Sequence, residues 1–144
     1  MKVGIGADHR GFKLKQKLIP YLSKKGYDVT DYGTDSTVSV DYPDISFKLG
    51  EAVRDKEVEM GIIICGTGVG VSIACNKVRG VRCAKVDNTN EAKMAREHND
   101  ANVMALSETF STLKAKDLID AFLKTEFSLE ERHVRRVQKI NDYK

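Results

Sequence analysis

The sequence predicts an α/β fold: a doubly wound, three-layer domain around a parallel sheet, spanning residues 1–144. Three observations carry that expectation. Short apolar runs alternate with helix-periodic segments along the whole chain. One run, Met60–Cys65 (MGIIIC), is apolar without interruption, as strands covered on both faces are. A chain of 144 residues has the length of one domain.

The elements follow in order. Lys2–Ala7 reads as a strand. Residues 12–24 read as a helix with Leu14, Leu18 and Leu22 on one stripe and Gly26 as its stop. Asp28–Tyr32 gives a second strand, and Asp44 can cap a helix running to Arg54. The strand Met60–Cys65 leads into a helix near Val71–Lys77. Val81–Val86 is strand-like, and Thr89–His98 is helical with Asn88 as its cap. Asn102–Leu106 is the last strand, followed by helices over Ser111–Lys124 and near Leu129–Asn141. The alternation implies a Rossmann-like sheet of five parallel strands with an extra C-terminal helix.

Composition narrows the function classes. Hydrophobic residues make up 41% and charged residues 31%, ordinary values for a globular protein, so disorder is not expected. No stretch approaches the ~18–20 apolar residues of a membrane span. The acid at Asp8 falls where the apolar part of a secretory leader would continue, so a cytoplasmic protein is expected. The three cysteines, Cys65, Cys75 and Cys83, have no CxxC spacing, and His9, His98 and His133 are isolated. Neither a disulfide framework nor a metal ligand set is expected. Cys75 and Cys83 sit in apolar stretches and read as small core residues. The net charge of +3 is too small for a nucleic-acid binder, and it is local. From Arg132 onward there are five cations and one acid, +4 in all, which leaves −1 for the rest.

In doubly wound folds ligands bind beyond the carboxyl ends of the strands. Asp8-His9 stands there after the first strand, and Cys65-Gly66-Thr67-Gly68-Val69-Gly70 after the third. Alternating glycines at a helix start let backbone N–H groups approach a phosphate or a developing oxyanion. A helix N-terminus also favours the thiolate of a cysteine, which can serve as base or nucleophile. Asp8 can act as a general base or orient a hydroxyl, and a charged His9 can hold an anion. His98-Asn99 precedes the last strand, at the opposite end of the sheet within one subunit. It can join the other groups only across a subunit interface or along an unusual loop path.

Arg132 and Arg136 are four residues apart, on one helical stripe, and two aligned guanidinium forks suit a phosphate monoester. Val134, Val137 and Ile140 lie on a different stripe and are expected to dock the helix. There is no GxxxxGK[ST] loop, which argues against a nucleoside triphosphatase. Gly4-x-Gly6 with Gly11 has the wrong spacing for a dinucleotide fingerprint, so a nucleotide-binding module is the weaker alternative. A phospho-receiver domain would want a cluster of acids after the first strand, where only Asp8 stands.

Over nearly its whole length the chain resembles the ribose-5-phosphate isomerase type B family and its galactose-6-phosphate isomerase relatives. The resemblance rests on Gly4-x-Gly6-x-Asp8-His9-x-Gly11, Asp41-Tyr42-Pro43, the run Cys65–Ala74 with Asn76-Lys77, His98-Asn99-Asp100-Ala101-Asn102, and Arg132-His133 with Arg136-Val137. It implies cofactor-free and metal-free aldose–ketose isomerisation of a small phosphorylated sugar through a cis-enediolate. Cys65 would move the proton between C1 and C2, with Thr67 and the amides of Gly66, Gly68, Val69 and Gly70 at the enediolate oxygen. His98, helped by Asp8, would open the sugar ring. His9, Arg132 and Arg136 would grip the phosphate, and Asn99 and Tyr42 would contact the sugar. It also implies a homodimer or dimer of dimers with shared sites. Retention of Cys65, His98 and both arginines favours ribose 5-phosphate over a six-carbon aldose 6-phosphate. Two positions depart from the family pattern. Thr109 stands where an arginine is usual, and Glu130-Glu131 replace a glycine pair, bringing acid close to the expected phosphate site.

Overall fold

The structure is a computed structural model describing residues 1–144. Its elements are β1 (Lys2–Ala7), α1 (Phe12–Lys24), β2 (Asp28–Asp31), α2 (Tyr42–Arg54), β3 (Met60–Cys65), α3 (Val69–Cys75), β4 (Cys83–Lys85), α4 (Thr89–Asn99), β5 (Val103–Ser107), α5 (Thr112–Lys124) and α6 (Glu131–Asp142). The five strands form one parallel sheet in the order β2-β1-β3-β5-β4.

Strand alternation sorts the core into two layers. Val3, Ile5, Ala7, Ile62, Ile64, Met104 and Leu106 pack against α1, α4 and α5. Ile63, Cys65, Val103 and Ala105 pack against α2 and α3. Leu14, Leu18 and Leu22 are buried as the periodicity predicts. The chain moves outward from β1 to β2, then crosses to β3 on the other side of β1. The switch point therefore lies between β1 and β3, where the carboxyl ends diverge and leave a crevice. Asp8 and Cys65 flank it.

Several boundaries differ from expectation. Asp41, not Asp44, is the N-cap of α2, because Pro43 fits the first turn and lacks the N–H that needs a partner. Asp44 instead adds a favourable acid to that turn. α3 starts two residues early, at Val69, and ends at Cys75. β2 stops at Asp31 and β4 is only three residues long. Asn88 and Ser111 cap α4 and α5, each accepting an N–H three residues on (2.9 and 3.1 Å). In α6 the buried residues are His133 and Val137, while Val134 and Ile140 face outward. The helix is rotated from the expected docking because His133 turns inward to meet His98.

Tyr21, Lys25 and Asp120 tie α1 to α5. Asp120 Oδ2 accepts from the Tyr21 hydroxyl (2.7 Å) and from Lys25 Nζ (2.9 Å), while Oδ1 is buried without a partner. Burial pushes the Asp120 carboxyl up, but these two donors outweigh it and hold the group below its ordinary range. A depressed carboxylate stabilises the fold above its unfolded pKa, and that contribution is lost as pH falls through the folded value. Asp120→Ala is therefore expected to cost about 2 kcal/mol at neutral pH. The gap from wild type should narrow as pH falls through the carboxylate range, when urea unfolding is followed across that range.

Candidate active site

The structure gathers the predicted residues into two groups. The first lies at the carboxyl ends of β1 and β3. Cys65 ends β3, buried, and its Sγ accepts the Gly68 N–H at 3.2 Å. Gly68 has φ +82°, and a Cβ there would come within 3.0 Å of the Leu106 carbonyl carbon. Only glycine makes this turn at low cost. The Val69 N–H is taken by Thr67 Oγ1 at 3.1 Å. The expected role of Gly68 and Val69 as oxyanion donors therefore changes: both amides are spent on the loop itself. The unbonded amides at the start of α3 are those of Gly70 and Val71, since the first helical bond is Ser72 N–H to Gly68 O.

Other side chains close around this loop. The Tyr42 ring lies against Gly70, where an added Cβ would sit 3.1 Å from the hydroxyl oxygen. Asp8 is buried, and its Oδ1 accepts the N–H groups of Arg10 (3.0 Å) and Gly11 (3.1 Å). It holds the turn in shape with one oxygen and keeps Oδ2 for other work. The Val40 N–H donates to His9 Nδ1 (3.2 Å). That bond places the neutral ring's proton on Nε2, which is left as a donor. Ser107, at the end of β5 and without an expected role of its own, is buried and donates to the Gly66 carbonyl at 2.8 Å.

The second group lies at the other end of the sheet. His98 and Asn99 form the last turn of α4, which ends on Asp100 in the left-handed conformation. The His98 ring packs on His133 with centroids 4.6 Å apart, and buried His133 is fixed by Ser128 Oγ at 2.7 Å from Nδ1. His133 is thus a positioning residue for His98. The Arg132-His133 dipeptide was visible in sequence, but nothing there gave the histidine a role. Arg82 Nη2 and Nε donate to the Asp100 carbonyl (2.8 and 3.0 Å), and Nη1 donates to Asn141 (2.8 Å). This residue clamps the α4 turn to the end of α6, and burial pulls its pKa down against the opposing pull of Asp100.

Arg132 and Arg136 are both exposed on α6. The acidic pair before them has a local explanation. Glu130 is the N-cap residue of α6 and Glu131 sits in its first turn, where the helix dipole favours acids. Glu130 also engages Arg132 at 3.1 Å. Both side chains are more than half exposed, so the pair is weak and a phosphate can displace it. Glu130→Gln should free Arg132 and lower KM for a phosphorylated sugar roughly two- to fivefold, with kcat unchanged in steady-state assays.

The remaining thiols are inert. Cys75 is fully buried. The neighbouring Cys75 thiol, then burial, push Cys83 well above the ordinary thiol range, so it stays protonated at neutral pH. Cys65 is the one cysteine at the crevice.

The two groups are separated by about the length of α4, ~16 Å at 1.5 Å per residue. A thiol and a cradle of amides at one end, with a histidine, an asparagine and two arginines at the other, supply the functions of an enzyme that moves protons on a phosphorylated sugar. Comparison with known proteins agrees. Residues 3–140 match the family described as Ribose/Galactose Isomerase. The chain is 41% identical to ribose-5-phosphate isomerase B of Escherichia coli, over 96% of this chain and 93% of that protein. It superposes on ribose-5-phosphate isomerase B of Clostridium thermocellum with a TM-score of 0.96 and 50% identity, covering 99% and 96% of the two chains. The Mycoplasma genitalium enzyme, solved with bound ribulose-5-phosphate, gives 0.92 at 39% identity, covering 99% and 95%. The chain belongs to the ribose/galactose isomerase family and is an aldose–ketose sugar-phosphate isomerase.

Proposed function

We propose that the chain interconverts ribose 5-phosphate and ribulose 5-phosphate, at sites that two copies of the chain build together. The observation that carries this reading is Cys65 at the mouth of the glycine loop, with a loop amide bonded to its sulfur. The Cys65 thiolate takes the proton from C2 of the open-chain aldose. The electron pair moves into the C1–C2 bond, and the carbonyl oxygen at C1 gains negative charge. Free amides of the loop and the Thr67 hydroxyl stabilise that oxygen. A proton passes from the hydroxyl on C2 to the oxygen on C1, the same sulfur returns its own proton to C1, and the oxygen at C2 becomes the carbonyl. No atom is gained or lost overall.

Ring opening comes first, and it needs an acid and a base at the ring oxygen and the anomeric hydroxyl. His98, held by His133, suits that exchange, with Asp8 Oδ2 on the other side of the sugar. His9, Arg132 and Arg136 hold the phosphate, and Asn99 and Tyr42 contact the sugar. Because His98 and Cys65 lie at opposite ends of one protomer, a second copy must bring its His98, Asn99, Arg132 and Arg136 to the first copy's Cys65. Two features support that pairing. Val69 and Ile73 of α3 are 46% and 64% exposed, one helical turn apart and next to the crevice. Val134, on the arginine-bearing helix, is also exposed. Apolar side chains beside each half-site suit an interface between copies. The three free cysteines fit a reducing compartment such as the cytoplasm, and no helix is long and apolar enough to cross a membrane.

A coupled assay across five- and six-carbon aldose phosphates tests the substrate. Ribose 5-phosphate is expected to give the highest kcat/KM. A higher value for allose or galactose 6-phosphate would contradict it.

A further inference from the structure

We infer that Arg10 is an additional phosphate-binding and specificity-determining residue, supplied by the same protomer as Cys65. This goes beyond the phosphate contacts proposed above and rests on that reading of the site. Arg10 follows Asp8-His9, and its side chain crosses the crevice. The guanidinium lies flat against Gly66: a Cβ on that glycine would sit 2.6 Å from Nη1 and 2.8 Å from Cζ. On the far side, Nη2 donates to Glu108 at 3.2 Å, and the Glu108 N–H is anchored on the Cys65 carbonyl at 2.9 Å. Arg10 thus spans from the first strand end, over the catalytic loop, to the turn after β5.

Charge and exposure give this placement its meaning. Among residues 8–10, 65–70 and 107–109, Arg10 is the only arginine or lysine, against the carboxylates of Asp8 and Glu108. A phosphate dianion entering this half of the site meets like charge unless a cation stands there. Thr109 cannot supply it; its hydroxyl is bonded to Ser107 Oγ at 2.7 Å. Arg10 can, because its side chain is 57% exposed and makes only the Nη2 bond, out of the five N–H donors a guanidinium carries. Glu108 serves as its resting counter-ion. A phosphate oxygen takes over or shares that bond when substrate enters, in the fork geometry that suits an oxyanion.

The test uses Arg10→Ala and Arg10→Gln in the full chain. KM for ribose 5-phosphate should rise about tenfold or more, with kcat within about twofold. The competitive inhibition constant of inorganic phosphate should rise by the same factor. Any rate measurable on unphosphorylated ribose should be the same in wild type and variants. If Arg10 merely straps the loop in place, ribose and ribose 5-phosphate will lose rate equally, and that result overturns the proposal. Unchanged KM and unchanged phosphate inhibition overturn it as well. Calorimetric titration with inorganic phosphate needs no turnover. It therefore separates a failure of Arg10 from a failure of the isomerase reading: wild type should bind phosphate more tightly than either variant, and equal affinity refutes the role of Arg10.

Discussion

Cys65→Ala is expected to lower kcat on ribose 5-phosphate about a thousandfold, the usual scale for removing a positioned base. The fold should survive. The substitution removes one sulfur from the buried layer that Cys65 shares with Ile63, Val71 and Ala105, and it leaves the Gly68 turn to be set by the glycine itself. Cys65→Ser is the sharper control. Its hydroxyl can still accept the Gly68 N–H, yet an aliphatic hydroxyl ionises far less readily than a thiol and supplies almost no anion to act as base at neutral pH. If the sulfur moves the proton, serine should fail almost as badly as alanine. Isomerisation in heavy water gives a second readout: the wild type should exchange the migrating hydrogen with solvent, and both variants should lose that exchange. Turnover within about fivefold of wild type in Cys65→Ala would remove the thiol from the reaction.

Much of this molecule was legible in its sequence, for identifiable reasons. Met60–Cys65 could be placed as a buried central strand because an apolar run without polar breaks has few other homes. Leu14, Leu18 and Leu22 gave α1 its buried face. Asn88 and Ser111 marked two helix starts because their side chains do local work. The opposition of His98 and Cys65 followed from the alternation of strands and helices alone.

What was not legible depends on contacts between distant parts of the chain. The orientation of α6 follows His133 meeting His98, a partner 35 positions away, so of the three apolar residues expected to dock the helix Val137 is buried while Val134 and Ile140 are exposed. The allocation of loop amides was hidden too. Gly68 and Val69 spend theirs on Cys65 and Thr67, and no spacing rule separates a free N–H from a bonded one. Glu130 looked like a charge set against phosphate, and it proved to be a helix start that holds Arg132. Arg10 drew no attention in sequence because one arginine in a turn is ordinary. Its place over Gly66 becomes visible only when β1 and β3 stand side by side.

The central claim is that each site takes Cys65 from one copy and His98 from the other. Its most direct test mixes two variants that are inactive for different reasons, Cys65→Ala and His98→Ala, carrying different affinity tags. In a mixed dimer with shared sites, one site collects both defects and the other collects none. The mixed species, purified through both tags, should therefore recover about half the wild-type kcat per dimer, and an unfractionated equal mixture about a quarter. KM for ribose 5-phosphate should match the wild type, because the restored site is intact. If the doubly tagged dimer is no more active than the two parent variants, Cys65 and His98 do not meet across an interface, and the shared-site account is wrong.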